Sequence, residues 1–425
     1  MAFDPTNPAK EHRGPSLRGR PQLQRRDVLR GGLWLSLGAS LAPVLSACGN
    51  SSEVAVTSSY PLARPNNPVT LPITESNPPI ADNVSPETGG IFKILNYDQY
   101  MAPSVKNDFG DKYNVEVQVT PYNNYDEMLS KITAPGATFD LVFPDPTLLS
   151  RMVYNEIIQP FNKSYLPNIR NTWPEYLDPW YDQKAQYTAP YTVYTTGIGY
   201  RTDSNVDPSE GYKMLWNSAY AGKTSVLDDS RESLAMAMLA WDITTDINTD
   251  NLDYINAAKD KLIELIDLVG IKTSVSSYAK IPNGDFNVAQ AWSGEMIAAQ
   301  GYLPKGQTAD VLGYWVPESS ANRVITNDCM CIPKSAKKPM LAHTMINALL
   351  DNDISLQNFA WNGYQPPLTK LSAQYLIDQG YIPENLTSTV VVREDFSKGY
   401  TFYEVDPAVE NQWLAAFQEF QSSGG

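Results

Sequence analysis

Histidine and cysteine are scarce in this chain of 425 residues, which contains two histidines and three cysteines. With only His12 near the start and His343 in a predicted helix, the sequence excludes a histidine-based catalytic triad and a metal site of several histidines. Catalysis by carboxylates alone is not excluded by that count. Cys329 and Cys331 have no histidine or further cysteine beside them, so we expect no metal there. Alternate residues on a strand point the same way, which predicts two buried free thiols, with a strained disulfide as the alternative.

Basic residues are also few, 32 against 47 acidic ones, giving a net charge of −15. Residues 1–47 hold seven of the basic and three of the acidic residues, so the remainder carries 25 basic and 44 acidic residues. Nucleic acids and anionic lipid surfaces bind basic proteins, and the charge therefore excludes both as partners. It weakly favours a cationic ligand. An acidic surface that only keeps the protein soluble fits the charge equally well.

No apolar run is long enough for a comfortable transmembrane helix; the apolar run near the N-terminus, residues 31–45, is too short. Arg25 and Arg26 precede this run, and Leu45-Ser46-Ala47-Cys48 ends it. This order is typical of a twin-arginine lipoprotein signal peptide over residues 1–47, with Cys48 lipidated as the first mature residue. A buried apolar helix is the alternative. We expect an exported protein that a lipid anchors to the outer face of the cytoplasmic membrane.

Residues 48–88 are rich in proline, serine and asparagine. Such a composition is too polar to form a core, and proline stiffens the chain. The sequence predicts a disordered tether over these residues.

From Gly89 onward the pattern is that of an α/β protein. Residues 91–95 and 139–144 read as buried strands, residues 115–119 alternate as a half-exposed strand, and Asn124 with Glu127 predicts a capped helix start. This order predicts a mostly parallel sheet flanked by helices, in which ligands bind beyond the C-terminal ends of the strands. That rim would carry Tyr97, Asp98 and Asp145.

A second unit begins near Tyr200. Strands are predicted at residues 225–227, 288–292 and 324–332, and helices at 233–239 and 251–268. Acidic residues precede the first of these helices, namely Asp228, Asp229 and Glu232. The helix dipole explains one acidic residue there easily and three less easily.

Five ordered segments from about residue 91 to the C-terminus resemble the spermidine/putrescine-binding proteins of ABC importers, within the two-lobed periplasmic binding proteins. The segments are residues 95–103, 139–144, 187–200, 228–232 and 327–333. The resemblance implies a type II fold with two lobes, each a mostly parallel sheet flanked by helices, and a ligand cleft between them. It places residues 91–195 and 329–368 in the first lobe and residues 196–328 and 369–425 in the second. Chain crossovers are expected at 194–200 and 326–331.

The resemblance also implies function and site. Asp229, Glu232 and Asp328 match amine-binding carboxylates, Trp292 and Tyr364 match aromatic residues near the ligand, and Tyr97 stands where the family usually has Trp. The implied protein is a monomer without a cofactor or catalytic activity. It captures a polyamine by hinge closure and delivers it to the permease of an ABC transporter.

Three departures from the family pattern affect the expected ligand. Thr326 stands where an aromatic residue is common, and Asp145 where serine is common; Asp98 likewise replaces a small polar residue. The cleft could therefore take a shorter amine, a more highly charged one or another small cation, such as a basic amino acid or a quaternary amine. An exported enzyme using paired carboxylates, or a surface lipoprotein without a ligand, are alternatives of other classes.

Overall fold

The computed structural model describes residues 60–425. Arg25, Arg26 and Cys48, on which the export and lipidation predictions rest, lie outside the described residues. No helix between residues 60 and 425 has the length and apolar character needed to cross a membrane.

The described residues form a series of strands and helices joined by loops and short helical turns. The strands are β1 (Ile91–Tyr97), β2 (Glu116–Tyr122), β3 (Leu141–Val142), β4 (Ile158–Gln159), β5 (Ala189–Arg201), β6 (Thr224–Val226), β7 (Lys272–Thr273), β8 (Val288–Trp292), β9 (Leu312–Trp315), β10 (Val324–Met330) and β11 (Ile332–Pro333). The α-helices are α1 (Pro103–Tyr113), α2 (Tyr125–Thr133), α3 (Leu149–Tyr154), α4 (Ser230–Ala240), α5 (Leu252–Val269), α6 (Ser277–Lys280), α7 (Ser293–Ala298), α8 (Pro339–Leu349), α9 (Asn352–Asn362), α10 (Ala373–Asp378) and α11 (Pro407–Ser422).

The first lobe is built on a parallel sheet in which β1 lies between β2 and β3. Phe92 and Ile94 of β1 are fully buried and pack with Leu141 of β3 and Leu341 of α8. The β4–β11 pair continues this lobe through a backbone bridge from Val142 to the residue before β11. β1 runs two residues past the predicted strand and ends in Tyr97, which lies at the C-terminal edge of the sheet as predicted.

The sheet of the second lobe is mixed. Strands β7, β6 and β8 are parallel neighbours, whereas β5 pairs antiparallel with β8, β9 and β10. The expectation of a mostly parallel sheet is therefore met only on the β6 side. The reason is the path of the chain: β5 enters this lobe from the first one and β10 returns to it, so the two must run in opposite directions.

Strands β5 and β10 connect the two lobes. The start of β5 and the end of β10, Ala189 and Met330, lie in the core of the first lobe, whereas Ile198 of β5 lies in that of the second. The register between these strands shifts between Asp328 and Cys329. The segments expected to cross over, residues 194–200 and 326–331, overlap β5 and β10. Cys329 beside the shift is a buried free thiol.

The predicted disordered tether is wrong from Tyr60 onward. Residues 60–88, which we call the strap, pack along the first lobe, and Ala63, Val69 and Leu71 are buried in its core. The backbone of Val69 exchanges hydrogen bonds of 2.9 Å with Trp180 and with Gln183. Prolines hold the strap extended and remove N–H donors that would need partners. The few apolar side chains between them are enough to attach it.

Candidate ligand-binding cleft

Two adjoining cavities lie between the lobes, with volumes of about 240 Å³ and about 320 Å³. Tyr194 of β5 and Trp292, the last residue of β8, line both cavities. These two side chains pack with Leu227 in a small buried cluster between the lobe cores. The cleft is thus divided by an aromatic partition into a first and a second cavity.

All eight residues that the sequence predicts as ligand-binding line this cleft. The first cavity is lined by Tyr97, Asp98, Asp328 and Tyr364, the second by Asp145, Asp229 and Glu232, and both by Trp292. They come from strand ends, helix starts and loops that are far apart in the chain, and the fold brings them together.

Aromatic rings form most of the wall of the first cavity. The Tyr97 ring lies 4.4 Å from that of Tyr122 and, across the cleft, 5.9 Å from that of Trp292, centroid to centroid. The Tyr364 ring packs edge-on against that of Tyr100 at 4.7 Å. Such faces cover methylene groups and attract cations through their quadrupoles.

Asp328 is the central carboxylate of the first cavity. It is 2 % exposed and accepts hydrogen bonds from the hydroxyls of Tyr100 at 2.5 Å, Tyr125 at 2.9 Å and Tyr194 at 3.1 Å. Burial raises the pKa of Asp328 to about 6, and the three tyrosine hydroxyls oppose that shift because they stabilise the charged form. The carboxylate is held in a fixed position, and no salt bridge to it is found among residues 60–425.

Two other acidic residues of the first cavity have their oxygens engaged by backbone. Glu295, which sequence reasoning missed, accepts from the backbone N–H of Ser277 at 2.9 Å and of Trp292 at 3.3 Å. Burial raises its pKa to about 7. Asp98 is exposed at the rim and accepts from the N–H of Gln99, whose φ is positive. Asp98 thus supports a turn at the cavity mouth.

Glu232 is fixed in the second cavity by side chains of β5 and β8. One carboxylate oxygen accepts from the Thr196 hydroxyl and from the indole N–H of Trp292, each at 2.9 Å. Burial, followed by repulsion from Asp229, raises the pKa of Glu232 to about 8. The Glu232 side chain faces the cavity and, among the described residues, makes no hydrogen bond back to the start of α4.

Asp229 and Asp145 each combine a capping role with a place in the second cavity. Asp229 caps α4 by accepting from the N–H of Glu232 at 3.0 Å, and burial raises its pKa to about 6. Asp145 accepts from the N–H of Thr147 at 3.0 Å. Burial raises the pKa of Asp145 to about 8, because the Thr147 hydrogen bonds offset only part of the cost of desolvating the charge.

Basic side chains do not neutralise these acids. Arg231 is the only lysine or arginine among the described residues that line either cavity, and it pairs with Glu410 at 3.0 Å and with Asn248 at 2.7 Å. Arg201 points elsewhere, to Asp203 and to backbone carbonyls. Within residues 60–425 no group of three or more His, Cys, Asp or Glu is placed to hold a metal ion. The cleft is suited to an organic cation.

Three tyrosines around Asp328 were not predicted as site residues: Tyr100, Tyr125 and Tyr194. A signal existed for Tyr125, which begins the helix after β2 and so lies at the same sheet edge as Tyr97. Tyr194 and Thr196 lie on the same face of β5, but nothing in the local sequence indicates that this face of the strand contacts Asp328.

The chain matches the family model described as bacterial extracellular solute-binding protein over residues 104–381. Among curated proteins it is 28 % identical over 287 residues to the spermidine/putrescine-binding periplasmic protein of Escherichia coli K12, covering 67 % of this chain and 79 % of that protein. It is 26 % identical over 275 residues to the putrescine-binding periplasmic protein PotF of the same organism, covering 61 % of this chain and 73 % of PotF.

Solved structures show the same fold. A putative spermidine/putrescine ABC transporter protein of Listeria monocytogenes superposes with a TM-score of 0.65 at 23 % identity, over 78 % of this chain and 98 % of that one. The TpPotD lipoprotein of Treponema pallidum gives 0.64 at 22 % identity, over 78 % and 99 %. The type II periplasmic-binding-protein architecture expected from sequence is confirmed.

Proposed function

Because the chain belongs to the bacterial extracellular solute-binding protein family, we propose that it captures a polyamine outside the cytoplasmic membrane and delivers it to an ABC importer. The observation that carries the proposal is the composition of the cleft. Fixed carboxylates from both lobes face cavities walled by aromatic rings, and the one arginine present is already paired. Curated relatives named for spermidine and putrescine support the same ligand class.

A polyamine fits this cleft for physical reasons. Its ammonium groups lose hydration on entry, which is costly unless each meets a carboxylate. Asp328 on one side of the Tyr194–Trp292 partition and Glu232 on the other provide such partners. The methylene chain between the ammonium groups would lie against the aromatic rings.

Capture would proceed by closure of the lobes about β5 and β10. A ligand that touches Tyr97 on the first lobe and Glu232 on the second stabilises the closed form, because the open form cannot offer both contacts at once. The permease would then recognise the closed surface. In this mechanism the protein acts as a monomer, needs no cofactor and transforms nothing.

The proposal includes a lipid anchor at the N-terminal side of the folded part. Lipidation at Cys48, following export directed by Arg25 and Arg26, would hold the protein at the outer face of the cytoplasmic membrane. Cys48→Ala should give unacylated protein released from the membrane; acylated material in that variant would contradict the assignment.

A quaternary amine is the second candidate, since rings such as Tyr97, Tyr100 and Trp292 surround one cavity. A quaternary ammonium has no N–H, however, and so could not donate a hydrogen bond to the second oxygen of Asp145, Asp229 or Glu232. A basic amino acid would bring a carboxylate, for which Arg231 is not free.

The test is thermal unfolding of the protein with spermidine, putrescine, spermine, arginine, lysine and glycine betaine at two salt concentrations. A ligand at a hundredfold excess over its dissociation constant stabilises the native state by about 2.7 kcal/mol, which is readily detected. Stabilisation by polyamines that survives moderate salt supports the proposal. Stabilisation only by betaine or by an amino acid would mean that the ligand is a quaternary amine or a basic amino acid instead of a polyamine. Recovery of chemically altered polyamine would indicate an enzyme.

A further inference from the structure

The second cavity offers more hydrogen-bond acceptors than one ammonium group requires. In Asp145, Asp229 and Glu232 alike, the hydrogen bonds from described residues fall on one carboxylate oxygen. The other oxygen of each receives none from those residues. Three carboxylate oxygens are thus available in one cavity of about 320 Å³.

A fourth acceptor is the hydroxyl of Thr326. Thr326 lies on β10 two residues before Asp328, so both side chains are on the cleft face of that strand. It lines the second cavity and is 2 % exposed, yet its hydroxyl has no hydrogen-bond partner among the described residues. Buried hydroxyls in native proteins are nearly always satisfied, so this hydroxyl is open to a hydrogen bond from a ligand in the cavity.

The charge of the second cavity also favours a ligand with more than one polar group. Arg231 is committed to Glu410 at 3.0 Å, so its charge does not balance Asp145, Asp229 and Glu232. One ammonium group stabilises the ionised form of one carboxylate, whereas the other two would stay protonated or become buried like charges, which is unfavourable. A ligand segment that carries two cationic nitrogens matches the cavity better.

We propose that Asp145 and Thr326 form a specificity subsite for the internal secondary ammonium of a triamine or tetraamine, while the terminal ammonium binds between Asp229 and Glu232. The proposal rests on the polyamine function above and adds a preference within it. A secondary ammonium has two N–H donors, one for Asp145 and one for the Thr326 hydroxyl. A terminal ammonium has three, enough for both remaining carboxylates. Selection would then follow the charge pattern of the ligand more than its length.

The experiment compares spermidine with α,ω-diaminooctane, which matches it in length but lacks the internal nitrogen. Isothermal titration of the full-length protein should give a preference for spermidine of about tenfold or more, the range for hydrogen bonds to charged groups. Asp145→Asn keeps the acceptor oxygen for Thr147 and removes the charge. It should weaken spermidine binding by about tenfold and diaminooctane binding by less than about threefold. Thr326→Val should reduce the same preference without a change of charge.

Asp228→Asn is the matched control. Asp228 lines the same cavity, and Gln421 donates to one of its carboxylate oxygens at 2.8 Å, so the variant makes the same charge change at a residue that is not part of the proposed subsite. It should leave the spermidine preference intact. Equal binding of the two ligands by wild-type protein, or an equal loss in both Asp145→Asn and Asp228→Asn, overturns the subsite while leaving polyamine capture standing. If neither amine binds, the proposed function itself fails.

Discussion

Filling the cleft with a cation should release protons. Without ligand, burial raises the pKa of Asp145 and Glu232 to about 8, and that of Asp229 and Asp328 to about 6. Near pH 7 the first two are therefore mostly protonated in the empty protein. A bound ammonium favours the ionised carboxylate, which lowers each pKa toward or below its ordinary value. Binding should thus release on the order of one to two protons per ligand, shared among coupled groups.

The sign of the pH dependence follows from the same linkage. Each proton released per ligand raises the affinity by up to about tenfold for each unit of pH between about 6 and 8. The stability of the ligand-free protein changes in the opposite direction. A carboxyl group whose pKa is raised by folding contributes stability that is complete below its unfolded pKa of about 4 and is lost as the pH rises through the folded value. The empty protein should unfold more easily at pH 8 than at pH 5.

Titration calorimetry of spermidine in phosphate and in Tris at pH 7 measures the effect, because the two buffers take up protons with different enthalpies. The observed binding enthalpies should differ by one to two times that buffer difference, about the number of protons released. Glu404→Gln is a control, since Glu404 is buried with a pKa raised to about 7 but lines neither cavity. It should alter the pH dependence of stability and leave proton release unchanged. Identical enthalpies in both buffers, with an affinity that is flat between pH 6 and 8, would refute the reasoning.

Two further predictions concern the strap and the aromatic wall. Leu71→Ala should lower the free energy of unfolding, measured in denaturant titrations, by roughly 2–5 kcal/mol because Leu71 is fully buried. Ile73→Ala is the control: its side chain is 46 % exposed, so the free energy of unfolding should hardly change. Equal effects of the two substitutions would show that the strap is not packed in solution. In Gly294→Ala the new methyl group would lie 2.3–2.5 Å from the ring atoms of Tyr364. The Tyr364 ring must then move, and the affinity for spermidine should fall. An unchanged affinity would show that Tyr364 does not contact the ligand.

Local signals in the sequence predicted most of the elements that carry the site. Asn124 caps α2 as expected, since its side chain accepts from the N–H of Glu127 at 3.0 Å. The strand predicted at residues 288–292 is β8. These predictions succeeded because caps and apolar runs depend on residues a few positions apart.

What the sequence could not predict depends on partners distant in the chain. Glu295 looks like an ordinary residue of a helix start until the fold places it beside Ser277 and the cleft. The strap has the composition of a disordered linker, and only the groove along the first lobe explains why Leu71 is buried. The antiparallel side of the second sheet likewise follows from how β5 and β10 cross between lobes, a property of the whole chain rather than of any segment.

Asp229 shows that a capping role and a ligand-binding role are compatible within one side chain. One oxygen accepts from the N–H of Glu232 at 3.0 Å, and the other receives no hydrogen bond from described residues while the side chain lines the second cavity. Asp229→Asn keeps a capping oxygen but loses the charge, so it should weaken spermidine binding by about 1.5–3 kcal/mol with nearly unchanged stability. Asp229→Ala loses the cap as well and should also lower the free energy of unfolding by about 0.5–2 kcal/mol. Calorimetry and denaturant unfolding of both variants separate the two roles, and wild-type affinity in Asp229→Asn would reduce Asp229 to a helix cap.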